Sequence, residues 1–206
     1  MRHDATPSTI PLQKIKQKNI NPAPHHSEIK MKIVILSCSL DPKSKSQKIG
    51  QLAQQKLEAL GATTQIIDLR QYDLPLCDAS SCYSHPQVHQ IAKILKDADA
   101  IIITAAIYNY NLNAAAKNII ELTGKATWEN KVVAFACAAG GMGSYMSVMS
   151  FASTLVLDFH CLIVPQILYA QSSQFDPGNS LTDPGAIQRL DKMCHTTLKL
   201  TQADLS

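Results

Sequence analysis

Short apolar runs alternate with amphipathic stretches from residue 32 onward, and this alternation constrains the fold more than any other feature of the chain. The apolar runs have the length and composition of strands: 32–38, 63–68, 100–105, 131–138 and 161–167. Several are apolar on both faces, which is typical of parallel strands that are covered on both sides. After each run, apolar residues recur every three or four positions, the spacing of one helix face.

This repeated order of strand and helix predicts an α/β fold in which a parallel sheet lies between two layers of helices. Right-handed crossover connections leave few ways to arrange the strands. Five strands favour the flavodoxin-like order 2-1-3-4-5 over the six-stranded dinucleotide-binding sheet. We therefore expect a three-layer sandwich whose ligand site lies beyond the carboxyl ends of the strands.

Residues 1–30 differ from the rest of the chain in pattern and in charge. Prolines at positions 7, 11, 22 and 24 interrupt a stretch without apolar periodicity, so we expect a disordered extension before a domain over residues 31–206. Residues 31–206 carry 14 basic and 14 acidic side chains, so the net charge of +3 belongs to the extension. A neutral domain argues against a nucleic-acid-binding surface, which has an excess of Lys and Arg.

Hydropathy and cysteine content predict a cytoplasmic protein without a membrane span. No apolar run approaches the ~18 residues of a transmembrane helix. Cys38, Cys137 and Cys161 lie inside strand-like runs, where cysteine behaves as a small hydrophobic residue. Cys77 and Cys82 lack zinc-finger spacing, so we expect no metal site. We interpret these two as free thiols of a loop, with a redox-active pair as the alternative.

The loop after the first strand, residues 37–46, has the features of a phosphate-binding loop. Ser39, Ser44 and Ser46 offer hydroxyl groups, and the following helix would present free backbone N–H groups at its N-terminus. The loop lacks the glycine patterns of NTPases and of dinucleotide-binding proteins. An ordinary serine-rich turn with a helix cap is the alternative interpretation.

Two further loops follow the third and fourth strands. In the first of them, Tyr108 and Asn109 combine an aromatic ring with an amide, which suits a flat heteroaromatic ligand, although surface tyrosines in a turn would look the same. In the second, glycines at 140, 141 and 143 would let the backbone approach a ligand closely. Either loop alone is weak evidence for a site.

Together, the three loops resemble the NADPH-dependent FMN reductase family of flavodoxin-like proteins. The stretches that carry the resemblance are C-S-L-D-P-K-S at 38–44, A-I-Y-N-Y-N-L-N-A-A-A-K-N-I-I-E at 106–121 and G-G-M-G at 140–143. The run I-D-L-R-Q-Y-D-L-P-L at 67–76 also looks like the end of the second strand in that family. The sequence departs from the family at Asp41, where members usually have Arg.

The resemblance implies a bound FMN, with NAD(P)H as the electron donor. It assigns the FMN phosphate to Ser39, Ser44 and Ser46. It places Ile107, Tyr108 and Asn109 beside the isoalloxazine and ribityl groups, and Ala139, Gly140 and Gly141 along the pyrimidine side of the ring. The expected activity is transfer of electrons from NAD(P)H through FMN to a small-molecule acceptor: a flavin, a quinone, an azo compound or a metal oxyanion. No catalytic side chain is required, because the cofactor carries the chemistry.

Two other functions remain open from sequence: a non-enzymatic flavodoxin-type electron carrier, and a flavodoxin-like binding protein that has lost its cofactor. The assembly is predicted from the fourth helix, which would bury Met146 and Met149. That arrangement leaves Val148, Phe151 and Val156 as surplus apolar positions. Surplus apolar surface is typical of a subunit interface, so we expect a homodimer or a homotetramer.

Overall fold

A computed structural model describes residues 30–141 and 146–204 of the chain. The predicted extension over residues 1–30 lies outside the described residues except for Lys30, and Gly143 lies outside them as well. Below, strands and helices are numbered in chain order within the described parts.

The sheet has the predicted flavodoxin-like order. Its strands are β1 (Lys32–Ser37), β2 (Thr63–Asp68), β3 (Ala100–Tyr108), β4 (Asn111–Leu112), β5 (Val132–Ala139), β6 (Leu162–Ile163) and β7 (Leu168–Gln171). The order across the sheet is β2-β1-β3-β5-β6, with β7 also paired to β5, and all of these pairs are parallel. The short β4 forms an antiparallel hairpin with β3. Because β6 and β7 share the fifth position, the predicted order 2-1-3-4-5 is confirmed.

The fifth strand differs from the prediction because it is interrupted. Val133 of β5 pairs with Ile163, and Ala136 pairs with Leu168, so four residues on one strand face two on the other. The interruption contains Pro165, which has no N–H for the ladder. The strand direction then resumes and continues to Gln171, beyond the predicted end at residue 167.

Helices cover both faces of the sheet. They are α1 (Lys45–Ala59), α2 (Pro86–Lys96), α3 (Ala114–Thr123), α4 (Lys125–Trp128), α5 (Met149–Phe159) and α6 (Pro184–Asp204). Alternate residues of β1 face opposite layers. Ile33 and Ile35 pack with α1 and α6, whereas Val34 and Leu36 face the layer of α2, α3, α4 and α5. The sheet is therefore buried on both faces, as the doubly apolar strands predicted.

Helix α5 buries a different set of residues from the one predicted. Met146 and Met149 are exposed, whereas Val148 and Phe151 are buried in the core of the subunit. A turn of 3₁₀ helix at 146–148 precedes α5, and its tighter winding shifts the phase of the apolar stripe. The prediction that Val148 and Phe151 are surplus surface positions is therefore wrong, while Val156 is exposed as expected.

Candidate functional site

The carboxyl ends of the parallel strands meet at one edge of the sheet, where the loops that follow them enclose a cleft of about 390 Å³. Seven of the nine residues predicted from sequence line this cleft: Ser39, Ser44, Ser46, Ile107, Tyr108, Ala139 and Gly140. Asn109 and Gly141 are not among the described residues that line it. The cleft lies where parallel α/β sheets bind ligands.

The loop between β1 and α1 is folded by its own side chains. The N–H of Asp41 donates to Ser39 Oγ (3.3 Å), and the N–H of Lys43 donates to Asp41 Oδ1 (2.8 Å). Ser44 caps α1, because its Oγ accepts a hydrogen bond from the N–H of Gln47 (3.1 Å). The turn therefore stays closed without a ligand.

The same loop has the chemistry of an anion site. The Oγ atoms of Ser44 and Ser46 lie 3.0 Å apart, and both serines are almost fully buried beside the cleft. The N–H groups of Lys45 and Ser46 precede the hydrogen-bond ladder of α1 and have no acceptor within the helix. Hydroxyl and backbone donors at a helix N-terminus fit a phosphate group.

Charges near this loop are mixed. Lys43 and Lys45 line the cleft, and Lys45 Nζ lies 5.4 Å from the centre of the Phe175 ring. Asp41 also lines the cleft and brings a negative charge to the predicted phosphate position. One oxygen of its carboxylate is already committed to the N–H of Lys43, so part of this group serves the turn.

Asp68, at the end of β2, connects this strand to the first turn of α1. Its carboxylate accepts hydrogen bonds from Gln47 Nε2 (2.8 Å) and from Nε and Nη2 of Arg70. Burial acts to raise the pKa of Asp68, but the bonds from Arg70 and Gln47 outweigh it, so the pKa lies below its usual value. Sequence reasoning missed this network, although a buried carboxylate requires a partner.

The hairpin after β3 supplies the middle of the cleft. Ile107 is buried and Tyr108 is exposed, and both line the cleft together with Ala106. Asn109 and Tyr110 have positive φ values of 50° and 61°, and they form the two-residue turn between β3 and β4. Asn109 therefore lies at the tip of the hairpin, where the positive φ is a conformation that asparagine adopts more readily than most residues.

Asn113 joins the first two loops. Its Nδ2 donates to the backbone oxygen of Cys38 (2.8 Å), and its N–H donates to the oxygen of Ala106 (2.9 Å). Its Oδ1 is buried and has no hydrogen-bond partner within the described part of the chain. No pattern in the sequence predicts this contact between the two loops.

The glycine-rich loop borders the cleft through Ala139 and Gly140. A Cβ atom added to Gly140 or Gly141 would meet no atom of the described residues within 4 Å, so the packing described around this loop does not require glycine at either position. That open space suits a flat group lying against the backbone. The carbonyl of Gly141 accepts a hydrogen bond from the Tyr169 hydroxyl, which attaches this loop to β7.

A fourth loop, residues 172–183 after β7, was missed by the sequence analysis. Ser172 and Asn179 line the cleft. Asn179 Nδ2 donates to the backbone oxygen of Lys43 (3.0 Å), which holds the fourth loop against the first. The Asp176-Pro177-Gly178 run indicates a turn, but it was not placed at the site because the strand was predicted to end at residue 167.

Within the described residues, no group of three or more His, Cys, Asp or Glu side chains could hold a metal ion. Among the helices of residues 30–141 and 146–204, none combines the length and hydropathy that crossing a bilayer requires.

Curated relatives and solved structures resemble the chain in sequence and in fold. An NAD(P)H-dependent FAD/FMN reductase of Geobacillus thermodenitrificans is 23% identical over 130 residues, which are 63% of this chain and 70% of the relative. An NAD(P)H:quinone oxidoreductase of Solanum tuberosum is 30% identical over 111 residues, and the match spans 51% of this chain and 57% of that protein.

Among solved structures, an NADH:FMN oxidoreductase in its apo form has a TM-score of 0.69 at 16% identity, covering 82% of this chain and 90% of that one. A flavoenzyme NAD(P)H:(acceptor) oxidoreductase from Paracoccus denitrificans has the same TM-score at 18% identity, covering 84% and 98%. These two likenesses establish the fold. The sequence model of the NADPH-dependent FMN reductases matches residues 31–176, most of the described chain. The resemblance inferred from the three loops is confirmed: the chain belongs to the NADPH-dependent FMN reductase family.

Proposed function

We propose that this protein is an NAD(P)H-dependent FMN oxidoreductase that reduces small-molecule acceptors. The observation that carries the proposal is the cleft in which a helix N-terminus, buried serine hydroxyls and an open backbone surface face one another. Membership of the NADPH-dependent FMN reductase family gives FMN and NAD(P)H as the cofactors. Relatives named as flavin and quinone reductases support a flavin or a quinone as acceptor, and an azoreductase among the structural neighbours adds azo compounds.

The phosphate end of FMN is assigned to the loop before α1. Ser39, Ser44 and Ser46 would donate hydroxyl hydrogen bonds, and the N–H groups of Lys45 and Ser46 would add backbone donors. Lys43 and Lys45 lower the electrostatic cost of a dianion beside Asp41. Arg70 acts behind the loop, since its Nη1 donates to the backbone oxygens of Asp41 and Pro42.

The flat ring is assigned to the wider part of the cleft. Ile107 and Tyr108 would contact one side, and Ala139 and Gly140 the other. Asn109 and Gly141 remain part of the proposed binding region as backbone elements, one at the hairpin turn and one at the attachment to β7. When bound, FMN supplies the redox chemistry, taking electrons from NAD(P)H and passing them to the acceptor.

The absorption spectrum of the purified protein tests this proposal. We expect a flavin chromophore that is released by heat as FMN, and bleaching of its long-wavelength band when NADPH or NADH is added under argon. A protein that binds no flavin after incubation with excess FMN would be the cofactor-less binding protein. A flavoprotein that dithionite bleaches but neither nicotinamide does would be an electron carrier. Either result contradicts the proposal.

We also propose that residues 31–206 form one FMN-binding domain that assembles as a homodimer or a homotetramer. Met149, Val156 and Leu157 expose apolar surface along α5. Beside them, a groove of about 180 Å³ runs between β4, α3 and α5 and includes Leu112 and Phe151. Exposed apolar surface of this extent supports a subunit interface.

We place the protein in the cytoplasm, because its six cysteines are all free thiols and thiols persist in a reducing compartment.

A further inference from the structure

Two cysteines of the segment between β2 and α2 lie next to each other, outside the FMN cleft. The Sγ atoms of Cys77 and Cys82 are 3.9 Å apart. Cys82 is 2 % exposed, while Cys77 is half-buried and therefore reachable from solvent. The sequence favoured free loop thiols and left a redox-active pair as the alternative, and the fold brings the two sulfur atoms together.

Hydrogen bonds donated to one carboxylate, that of Asp78, fold the segment so that the two sulfur atoms lie together. Asp78 Oδ1 accepts from the N–H groups of Ser80 (2.9 Å) and Cys82 (3.1 Å), and Oδ2 accepts from Ser81 Oγ (2.6 Å). These bonds form a 3₁₀ turn over Ser81–Ser84 that folds Cys82 back toward Cys77. The proximity of the thiols is therefore built by the segment itself.

The segment is also fastened to the body of the protein. The N–H of Cys77 donates to Asn118 Oδ1 (2.9 Å), and Asn118 Nδ2 donates to the backbone oxygen of Pro75 (2.9 Å). Asn118 belongs to α3, which follows the β3–β4 hairpin of the cleft. On the other side, Cys82 packs against Val88 of α2 and Leu122 of α3. The backbone of Cys77 is therefore hydrogen-bonded to α3, and this contact keeps its sulfur within reach of Cys82.

We propose that Cys77 and Cys82 are a redox-active pair that hydrogen peroxide converts to an intramolecular disulfide. The thiolate of Cys77 attacks one peroxide oxygen, the O–O bond breaks, and hydroxide leaves, so that Cys77 becomes a sulfenic acid. The Cys82 thiol then attacks the Cys77 sulfur, and the sulfenic oxygen leaves as water. Two thiols lose two hydrogen atoms in total, and one peroxide is reduced to two waters.

The two cysteines differ in the ways that these two roles require. The attacking thiol must be accessible, and Cys77 is the more exposed of the two. Desolvation by burial is the largest cause that raises the pKa of Cys82, and the raised pKa keeps this thiol protonated until Cys77 has reacted. Closing the Sγ–Sγ separation from 3.9 Å to the ~2.05 Å of a disulfide needs a movement of about 2 Å between two side chains of one short loop.

The other four cysteines provide an internal comparison. Cys38, Cys137, Cys161 and Cys194 are all buried. Desolvation raises the pKa of Cys137 and of Cys194 to about 12, and that of Cys161 to about 11, so these thiols are protonated and unreactive near neutral pH. Oxidation should therefore be confined to the Cys77–Cys82 pair.

Peptide mapping after peroxide treatment tests the proposal on the full chain. The protein is treated with hydrogen peroxide, blocked with N-ethylmaleimide, unfolded and digested with trypsin. No Lys or Arg lies between Arg70 and Lys93, so one peptide, residues 71–93, contains both cysteines. We expect this peptide to lose two hydrogen atoms and to escape the blocking reagent, and dithiothreitol should restore both thiols. A wild-type peptide that gains oxygen atoms, or protein that becomes a disulfide-linked dimer, would overturn the proposal.

Two variants separate the roles of the cysteines. In Cys82→Ser, oxidation should stop at a sulfenic acid on Cys77 that dimedone traps. In Cys77→Ser, loss of the Cys82 thiol should be at least roughly tenfold slower than in wild type. Cys194→Ser is the matched control and should leave disulfide formation unchanged. Equal oxidation of Cys82 with and without Cys77 would contradict the proposed order. The wild-type mapping remains decisive if a variant fails to fold.

Discussion

Arg70 binds Asp68 at the end of β2, with Nη2 2.5 Å from Asp68 Oδ2. The same guanidinium also reaches the loop between β1 and α1. Arg70 Nη1 donates to the backbone oxygens of Asp41 and Pro42 at 3.3 and 3.2 Å. These contacts hold the two carbonyl oxygens of the loop against Arg70, which directly follows β2. In the proposed FMN site, Arg70 would therefore be a positioning residue that acts through the loop.

Arg70→Lys should weaken FMN binding while keeping the positive charge. A lysine has no planar fork that can bind Asp68 and the loop carbonyls at once. Loss of one charge-assisted hydrogen bond, about 1.5 kcal/mol, corresponds to a roughly tenfold weaker affinity. Fluorescence titration with FMN measures the change. Arg189→Lys is the control, because Arg189 contacts only the backbone oxygen of Ile167 among the hydrogen bonds described for its side chain. Equal affinities in wild type and Arg70→Lys would remove Arg70 from the binding machinery.

The lowered pKa of Asp68 predicts a pH dependence of stability. The folded-state pKa lies below the unfolded value of about 3.9, so the carboxylate stabilises the fold fully above that pH. This stabilisation is lost as the pH falls through the lower, folded-state pKa. Denaturant unfolding should therefore give a larger difference in free energy between wild type and Asp68→Asn at about pH 7 than at about pH 3. A difference that grows on acidification would contradict the sign of this shift.

Ser44→Asp should strongly weaken FMN binding, and Ser44→Ala should weaken it less. Both changes remove a hydroxyl donor, but only aspartate places a negative charge against the phosphate. Aspartate also remains a good helix cap, whereas alanine costs about 1 kcal/mol of stability. Titration with FMN and denaturant unfolding together separate the two effects. The aspartate variant should lose more FMN affinity, and the alanine variant should lose more stability. If the two variants bind FMN equally well, the phosphate does not lie at Ser44.

Asp41→Asn should tighten FMN binding. Asparagine keeps an oxygen for the N–H of Lys43, so the turn is preserved while the negative charge in the cleft is removed. Relief of one screened repulsion of about 1 kcal/mol corresponds to a roughly fivefold gain in affinity. The gain should shrink at high salt. Asp73→Asn removes an exposed charge outside the residues that line the cleft and controls for net charge. Unchanged affinity in Asp41→Asn would mean that the carboxylate points away from the phosphate.

Much of the fold was predictable because buried parallel strands have a strong sequence pattern. The order of the sheet and the cleft at its carboxyl edge follow from that pattern. Seven predicted residues line the cleft because they lie at the carboxyl ends of β3 and β5 or between β1 and the first turn of α1. The differences between prediction and structure have local causes. Pro165 interrupts the fifth strand, which hid the loop that contributes Ser172 and Asn179. The left-handed backbone of Asn109 takes its side chain to a hairpin turn. Neither the strand interruption nor the left-handed turn follows from the apolar periodicity of the sequence, so that pattern could not predict them.

The proposed assembly predicts that a charge on α5 separates the subunits. Leu157 is 79 % exposed and lies beside Val156, so in a single subunit it leaves a large apolar side chain in water. Leu157→Lys should leave folding intact, because the position is exposed. In a two-fold interface, however, each subunit would bury one lysine charge, and this desolvation should separate the subunits. Light scattering should then give a mass near one chain for Leu157→Lys. Wild type should give two chains, or four if the dimers pair. Leu60→Lys changes an exposed leucine at the end of α1, in the helix layer on the opposite face of the sheet, and should keep the wild-type mass. A wild-type mass near one chain, with full NADPH oxidation activity, would show that α5 faces solvent in the working protein.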